Sequence, residues 1–140
     1  MKEFTINIIS GEKKILLSAP HAFLHKRPRL STAWKVPEPY TDDLVISVTR
    51  DIDAMGIVLR GDVDFDPNYH TERRNPYKVM VRGIVREKKI KYFVDIHGLK
   101  DGNMYDIAIY YPTKFSRSKN LALKLQEDLG RGRLSGVSIA

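Results

Sequence analysis

Two apolar runs in this chain end in residues that belong to chemistry. Phe93-Val94-Asp95-Ile96-His97-Gly98 is a β-branched run that finishes in an aspartate, a histidine and a glycine, and Ile15-Leu16-Leu17-Ser18-Ala19-Pro20-His21 is a second run that finishes at a histidine. A buried strand has no structural need for either ending. If the two runs are neighbouring strands of an α/β sheet, their imidazoles meet at its carboxyl edge, where open α/β sheets bind ligands. Two neutral imidazoles and one carboxylate form a common catalytic zinc site that keeps a fourth position for water. With Cys 0, thiolate nucleophiles and cysteine-type metal sites are excluded, so a metal must rest on histidine and carboxylate. Either histidine alone reads equally well as a hydrogen-bonded strand-end residue; the matched pair favours ligands. The period of two along a strand puts Asp95 on the face of His97, where it can orient that ring or a water, or cap a neighbouring helix as a buried carboxylate. His25 and His70 lie in polar loops beside basic residues and read as solvated.

Several elements must position these groups. Alternation over Phe4 to Ile9, a turn at Gly11-Glu12-Lys13 and the run Ile15 to Ala19 predict a hairpin or two adjacent strands, the first at a sheet edge. Phe23 to Pro39 carries Pro28, Pro37 and Pro39 and reads as a long loop of functional type. Thr41-Asp42-Asp43 opens a helix with Leu44, Val48, Ile52 and Met55 at helical spacing and Gly56 at its stop. Ile57-Val58-Leu59 is a short buried strand, followed by the loop Gly61 to Asn75 with Asp62, Asp64, Asp66 and Asn68. Asn75 caps the next helix and Pro76 enters its first turn, with Met80, Val81 and Ile84 inward and a basic end at Arg86 to Lys89. Lys91 to Ile96 is the expected central strand, Tyr105 to Tyr111 another, and Ser118 to Leu129 a last helix with Leu121, Leu125 and Leu129 inward and Gly130 at the stop. Alternating strands and helices predict an α/β fold, a three-layer sandwich with a mixed, largely parallel central sheet flanked by helices.

Composition bounds the rest. At 140 residues, 42% hydrophobic and 29% charged, the chain reads as one soluble domain, 1–140, without a membrane span. Met1-Lys2-Glu3-Phe4 enters a strand pattern without the regions of a signal peptide, so a cytoplasmic location is expected. The net charge of +7 and a pI near 9.6 raise the question of nucleic acid. The basic residues, at Lys13-Lys14, Arg73-Arg74, Arg86 to Lys91 and Arg131 to Arg133, are scattered among acids, and no nucleic-acid-binding motif is visible. Nucleic acid is therefore the weaker partner; the charge equally steers an anionic substrate.

Six short segments occur in an order that resembles a known family: Ser18-Ala19-Pro20-His21, Glu38-Pro39-Tyr40-Thr41, Asp66-Pro67-Asn68-Tyr69, Asn75-Pro76-Tyr77-Lys78, Asp95-Ile96-His97-Gly98 and Tyr105-Asp106-Ile107. Together they resemble N-formylglutamate amidohydrolase-like proteins, which are similar in fold to zinc carboxypeptidases and aminoacylase-type deacylases. The resemblance runs from about Leu17 to Tyr111 and lies in the ordered set rather than in any one segment. It implies a zinc-dependent hydrolase that cleaves an amide bond of a small acidic N-acyl amino acid. By the same resemblance His21, Glu38 and His97 hold the metal, with Asp42 and Asp43 as rivals of Glu38. Asn68 holds the substrate; the arginine that commonly follows it in the family is Tyr69 here, which leaves Arg73 or Arg74 for a bidentate carboxylate contact. Lys78 and Asp106 are further matched polar positions. Relatives continue past the last helix, and in the wider fold a later glutamate acts as general base; no glutamate follows Glu127 here, which leaves Asp95, Asp66 and Asp106 to accept the proton. The alternative is a non-catalytic member of the fold that binds an anionic ligand or a nucleic acid through its basic surface. A homo-oligomer whose partner supplies the base is a third arrangement.

Overall fold

Apolar side chains on both faces make Met55–Arg60 the strand around which the fold is built. In a computed structural model the described residues are 3–27 and 34–140, so Met1, Lys2 and Pro28 of the expected loop lie outside them. The strands are β1 (Thr5–Ile9), β2 (Ile15–Ala19), β3 (His25–Lys26), β4 (Trp34–Lys35), β5 (Met55–Arg60) and β6 (Tyr92–Asp95); the helices are α1 (Thr41–Ile52), α2 (Pro76–Glu87) and α3 (Ser116–Leu129). The chain divides into two compact units, Met1–Gly98 and Leu99–Ala140.

In the first unit the sheet order is β1-β5-β2-β6, with β1 antiparallel to β5 and the other pairs parallel. Leu16, Ile57 and Leu59 face Tyr77 and Ile84 of α2, whereas Leu17, Ala19 and Val58 face Val45 of α1. The two helices thus cover opposite faces, giving the three-layer α/β arrangement that the alternating elements predict. β3 and β4 pair in a small ladder of their own inside the segment expected to be a loop.

Several expectations are corrected. β1 and β2 are neither a hairpin nor adjacent, because β5 inserts between them and satisfies the backbone of both. Met55 and Gly56 belong to β5 and not to the helix; α1 ends at Ile52 and is capped by Asp53 in a left-handed conformation. Val48 packs inward as expected, beside the buried Val45 and Thr49, while Leu44 is exposed. Thr49 satisfies its hydroxyl by donating to Val45 O at 2.7 Å, and a Cβ on Gly56 would lie only 3.0 Å from its methyl. This glycine lets α1 sit close to the sheet. β6 is an edge strand among the described residues, not a central one, with Tyr92 and Phe93 exposed. Met80 of α2 is exposed as well.

In the second unit, Tyr105 to Tyr111 forms no strand; the alternation there yields a single parallel bridge, Ile107 with Ile139. Asp106 accepts from the backbone and hydroxyl of Ser138 at 2.9 and 2.8 Å. α3 buries Ala122, while Leu121 and Leu125 are exposed, contrary to the expected inward stripe. Among the described residues no helix is long and apolar enough to cross a membrane.

Candidate metal centre

Register decides where the two histidines emerge. Ser18 of β2 lies opposite Asp95 of β6, so the parallel strands end side by side and the chains beyond them carry His21 and His97 off the same edge. β5 ends at that edge too and leads into the loop with Asp66 and Asn68. Val63 N–H donates to Leu24 O at 2.9 Å, tying that loop to the segment of His25. Glu38 arrives from the chain before α1: its N–H donates to His21 O at 2.9 Å, and its carbonyl accepts from the Thr41 hydroxyl at 2.8 Å.

The side chains then converge. His21 Nδ1 lies 3.2 Å from His97 Nδ1 and 3.5 Å from Glu38 Oε1, and His97 Nδ1 lies 3.1 Å from Glu38 Oε2. Zinc bonds to nitrogen and oxygen near 2.0–2.1 Å place tetrahedral donors about 3.3 Å apart, so this donor set fits a divalent ion. Gly98 N–H donates to Glu38 Oε2 at 3.1 Å, and a Cβ on Gly98 would stand 3.1 Å from that of Glu38. Glycine here allows the carboxylate to approach. The rivals are elsewhere: Asp42 pairs with Arg60 at 3.3 Å, and Asp43 contacts neither imidazole.

Asp66 governs the other side of His21. It is fully buried and 3.1 Å from His21 Nε2; its oxygens also accept from Asn68 N–H at 2.9 Å, Tyr69 N–H at 3.3 Å and Arg27 Nε–H at 3.1 Å. A carboxylate at Nε2 takes the ring proton there and leaves the Nδ1 lone pair directed at Glu38 and His97. Asn75 holds this loop. It is buried, donates to Pro67 O at 2.6 Å and His70 O at 3.2 Å, and accepts from Lys78 N–H at 3.0 Å as the cap of α2. Asn68 places its amide 3.2 Å from His97 Nε2. When the amide nitrogen donates, the ring proton sits on Nδ1 and goes to Glu38; with the amide oxygen presented instead, it sits on Nε2 and Nδ1 is free.

Charge follows the contacts. Burial alone would lower the His21 pKa, but the Asp66 and Glu38 carboxylates outweigh it and bring it up to about 9. Burial would raise Glu38, yet the two imidazoles and the Gly98 amide take it down to about 2. Asp66 is likewise held well below the usual carboxylate range, against its burial, by His21, the Asn68 amide and Arg27. Asp95 goes the other way: burial raises it, and its Oδ1 has no hydrogen-bond partner among the described residues.

The remaining expected residues are dispersed. Lys78 Nζ donates to the carbonyls of Asn68 and His70 and so braces the loop. Arg73 and Arg74 lie in a 3₁₀ turn, Glu72–Arg74, and make none of the centre's contacts. His25 is buried and not solvated: it stacks on His21 at 4.1 Å, with Nε2 3.7 Å from Asp66 Oδ2. His70 accepts the Asp66 N–H at 2.7 Å. His21, His25 and Asp66 form a second close donor group, but the stacked rings, 12° from parallel, direct their in-plane lone pairs side by side, and Arg27 already supplies a cation to Asp66. That group buttresses His21 through the His25 ring and the Asp66 carboxylate. Comparison of the chain with protein-family models, curated proteins and solved structures yields no match.

Proposed function

We propose that this chain is a metal-dependent hydrolase of the N-formylglutamate amidohydrolase type, cleaving an amide bond of a small N-acyl amino acid or similar acidic molecule. His21, Glu38 and His97 hold one divalent ion, with zinc the natural choice for a two-imidazole, one-carboxylate set. The observation that carries the reading is that these donors, from three separate segments, come within 4.8 Å of one another. Such an ion supplies Lewis acidity, polarising a carbonyl and lowering the pKa of water. The protein's own groups do the rest. Asp66 fixes the tautomer and direction of His21, the Gly98 amide fixes Glu38, and Asn68 stands beside His97 where its amide can also meet a substrate carbonyl. Asp66 has both oxygens engaged, and Asp106 is bonded to Ser138 in the second unit, so the proton acceptor falls to Asp95, with its unpartnered oxygen. Hydrolysis of N-acyl amino acids by the zinc-supplied protein, abolished by a chelator and by His97→Ala, is the expected result. An unchanged rate in His97→Ala removes the proposal.

One observation favours the non-catalytic alternative. Lys91 N–H donates to Lys14 O at 2.8 Å, which brings Lys13, Lys14 and the Lys88 to Lys91 turn together at the edge of the sheet away from the histidines. Steeply salt-dependent binding of DNA or RNA, without hydrolysis when zinc is supplied, would favour it.

A further inference from the structure

Arg27 stands next to the centre with a side chain only partly used. Its Nε donates to Asp66 Oδ2 at 3.1 Å, and its guanidinium carbon lies 4.5 Å from the centroid of the Tyr69 ring. Among the described residues its two terminal nitrogens make no hydrogen bond or ion pair. Arg27 is 34% exposed and Tyr69 is 62% exposed, so the stacked pair opens to solvent while the carboxylate beneath it is fully buried. Tyr69 directly follows Asn68, whose amide reaches His97, and Asp66 joins Arg27 to His21 through its two oxygens. This wall of the centre has a positive excess: Arg27 and Lys78 carry two charges against the one of Asp66, and Lys78 is bonded only to carbonyls.

We infer that Arg27, aimed by Asp66 and seated on Tyr69, anchors the carboxylate of the substrate. A guanidinium held through Nε, with its plane fixed by an aromatic ring, presents two parallel N–H donors in the geometry a carboxylate accepts. Tyr69 and Asp66 restrict the rotamers of a long side chain that would otherwise lose entropy on binding. The inference rests on the hydrolase reading for the reaction next door, and it replaces Arg73 and Arg74, which lie in the 3₁₀ turn and make none of the centre's contacts. Because the same carboxylate orients His21 and Arg27, an occupied anchor and a directed imidazole support one another.

The test is a titration of glutarate into the whole chain, with and without a chelator, followed by the fluorescence of Trp34. This sole tryptophan is in register with Lys26, one residue before Arg27. A saturable change is expected in the parent, weakened at least about 10-fold in Arg27→Gln and intermediate in Arg27→Lys, which keeps the charge but not the fork. Tyr69→Ala, which leaves Asp66 untouched, weakens binding several-fold and decides the matter if Arg27→Gln fails to fold. The double variant Arg73→Gln/Arg74→Gln binds like the parent. With zinc supplied, Arg27→Gln raises KM for N-acetylglutamate at least about 10-fold more than it raises KM for its uncharged diamide. Parental glutarate binding in both Arg27→Gln and Tyr69→Ala, no saturable binding by the parent, or loss in the Arg73/Arg74 variant overturns the anchor. Arg27-dependent glutarate binding without hydrolysis of either substrate would retain the anchor and sink the hydrolase reading; hydrolysis that ignores Arg27 would do the reverse.

Discussion

Replacing Asp66 by alanine removes the acceptor on which the centre is assembled. Its buried carboxylate takes hydrogen bonds from His21, Arg27 and the Asn68 and Tyr69 amides, at 3.1, 3.1, 2.9 and 3.3 Å. Breaking a buried charged pair from one side costs about 3–5 kcal/mol, because the remaining charge is left uncompensated. Water reaches Arg27, which is 34% exposed, so the lower end applies: about 3 kcal/mol. For a unit of this size that is a fall in Tm of roughly 12 °C or more. Asp66→Asn keeps the shape and one acceptor oxygen, so it costs less stability, but it no longer opposes a charge to His21 Nε2. Zinc affinity should then fall about 10- to 100-fold, the usual effect of losing a carboxylate behind a ligating imidazole. Thermal unfolding and zinc competition against a chromophoric chelator measure the two effects separately. Parental Tm in Asp66→Ala, together with parental zinc affinity in Asp66→Asn, would refute the argument that Asp66 organises the centre.

Three further outcomes follow from the same contacts. In metal-free protein, His21 contributes stability that is complete below its ordinary pKa of 6.5 and is lost as pH rises through about 9, whereas Glu38 contributes stability present above 4.5 and lost as pH falls through about 2. Denaturant midpoints across pH should decline in both windows, and His21→Ala should remove the alkaline decline. Gly98→Ala sets a methyl 3.1 Å from the Glu38 Cβ, so zinc affinity should drop about 10-fold, as for other supports of a metal ligand, with little change in Tm. Tyr77→Phe removes a buried hydroxyl that lies 2.6 Å from Ser18 Oγ and donates to Ile57 O at 3.0 Å; denaturation should show a loss of about 1–2 kcal/mol and unchanged zinc binding.

What was legible in the sequence divides along physical lines. The ends of β2 and β6 were legible because a buried apolar run has no reason to stop at histidine, and Asn75-Pro76 marks the start of α2 because cap and first-turn chemistry are local. Glu38 came only through the resemblance; its contact with His97 spans 59 residues, and nothing local announces it. Strand order was not legible either, since the insertion of β5 between β1 and β2 is decided by long-range pairing that a short turn between two runs does not reveal. The second unit misled for a related reason. Alternation over Tyr105 to Tyr111 is the pattern of a half-buried strand, but a strand needs a neighbour, and Ile107 finds only Ile139. His25 and Arg27 were missed because polar neighbours in sequence suggest solvent, whereas both side chains meet at buried Asp66. The signal that could have found them is the concentration of His21, His25 and Arg27 within one short segment.

The central claim is that His21, Glu38 and His97 hold one ion. It is tested most directly by metal analysis of the protein after chelation and zinc reconstitution, in the parent and in His21→Ala, Glu38→Ala and His97→Ala. One zinc per parent chain and a stoichiometric loss in each variant that still folds are expected. A parent that takes up no zinc, or three folded variants that all retain it, would show that these three side chains are not its ligands.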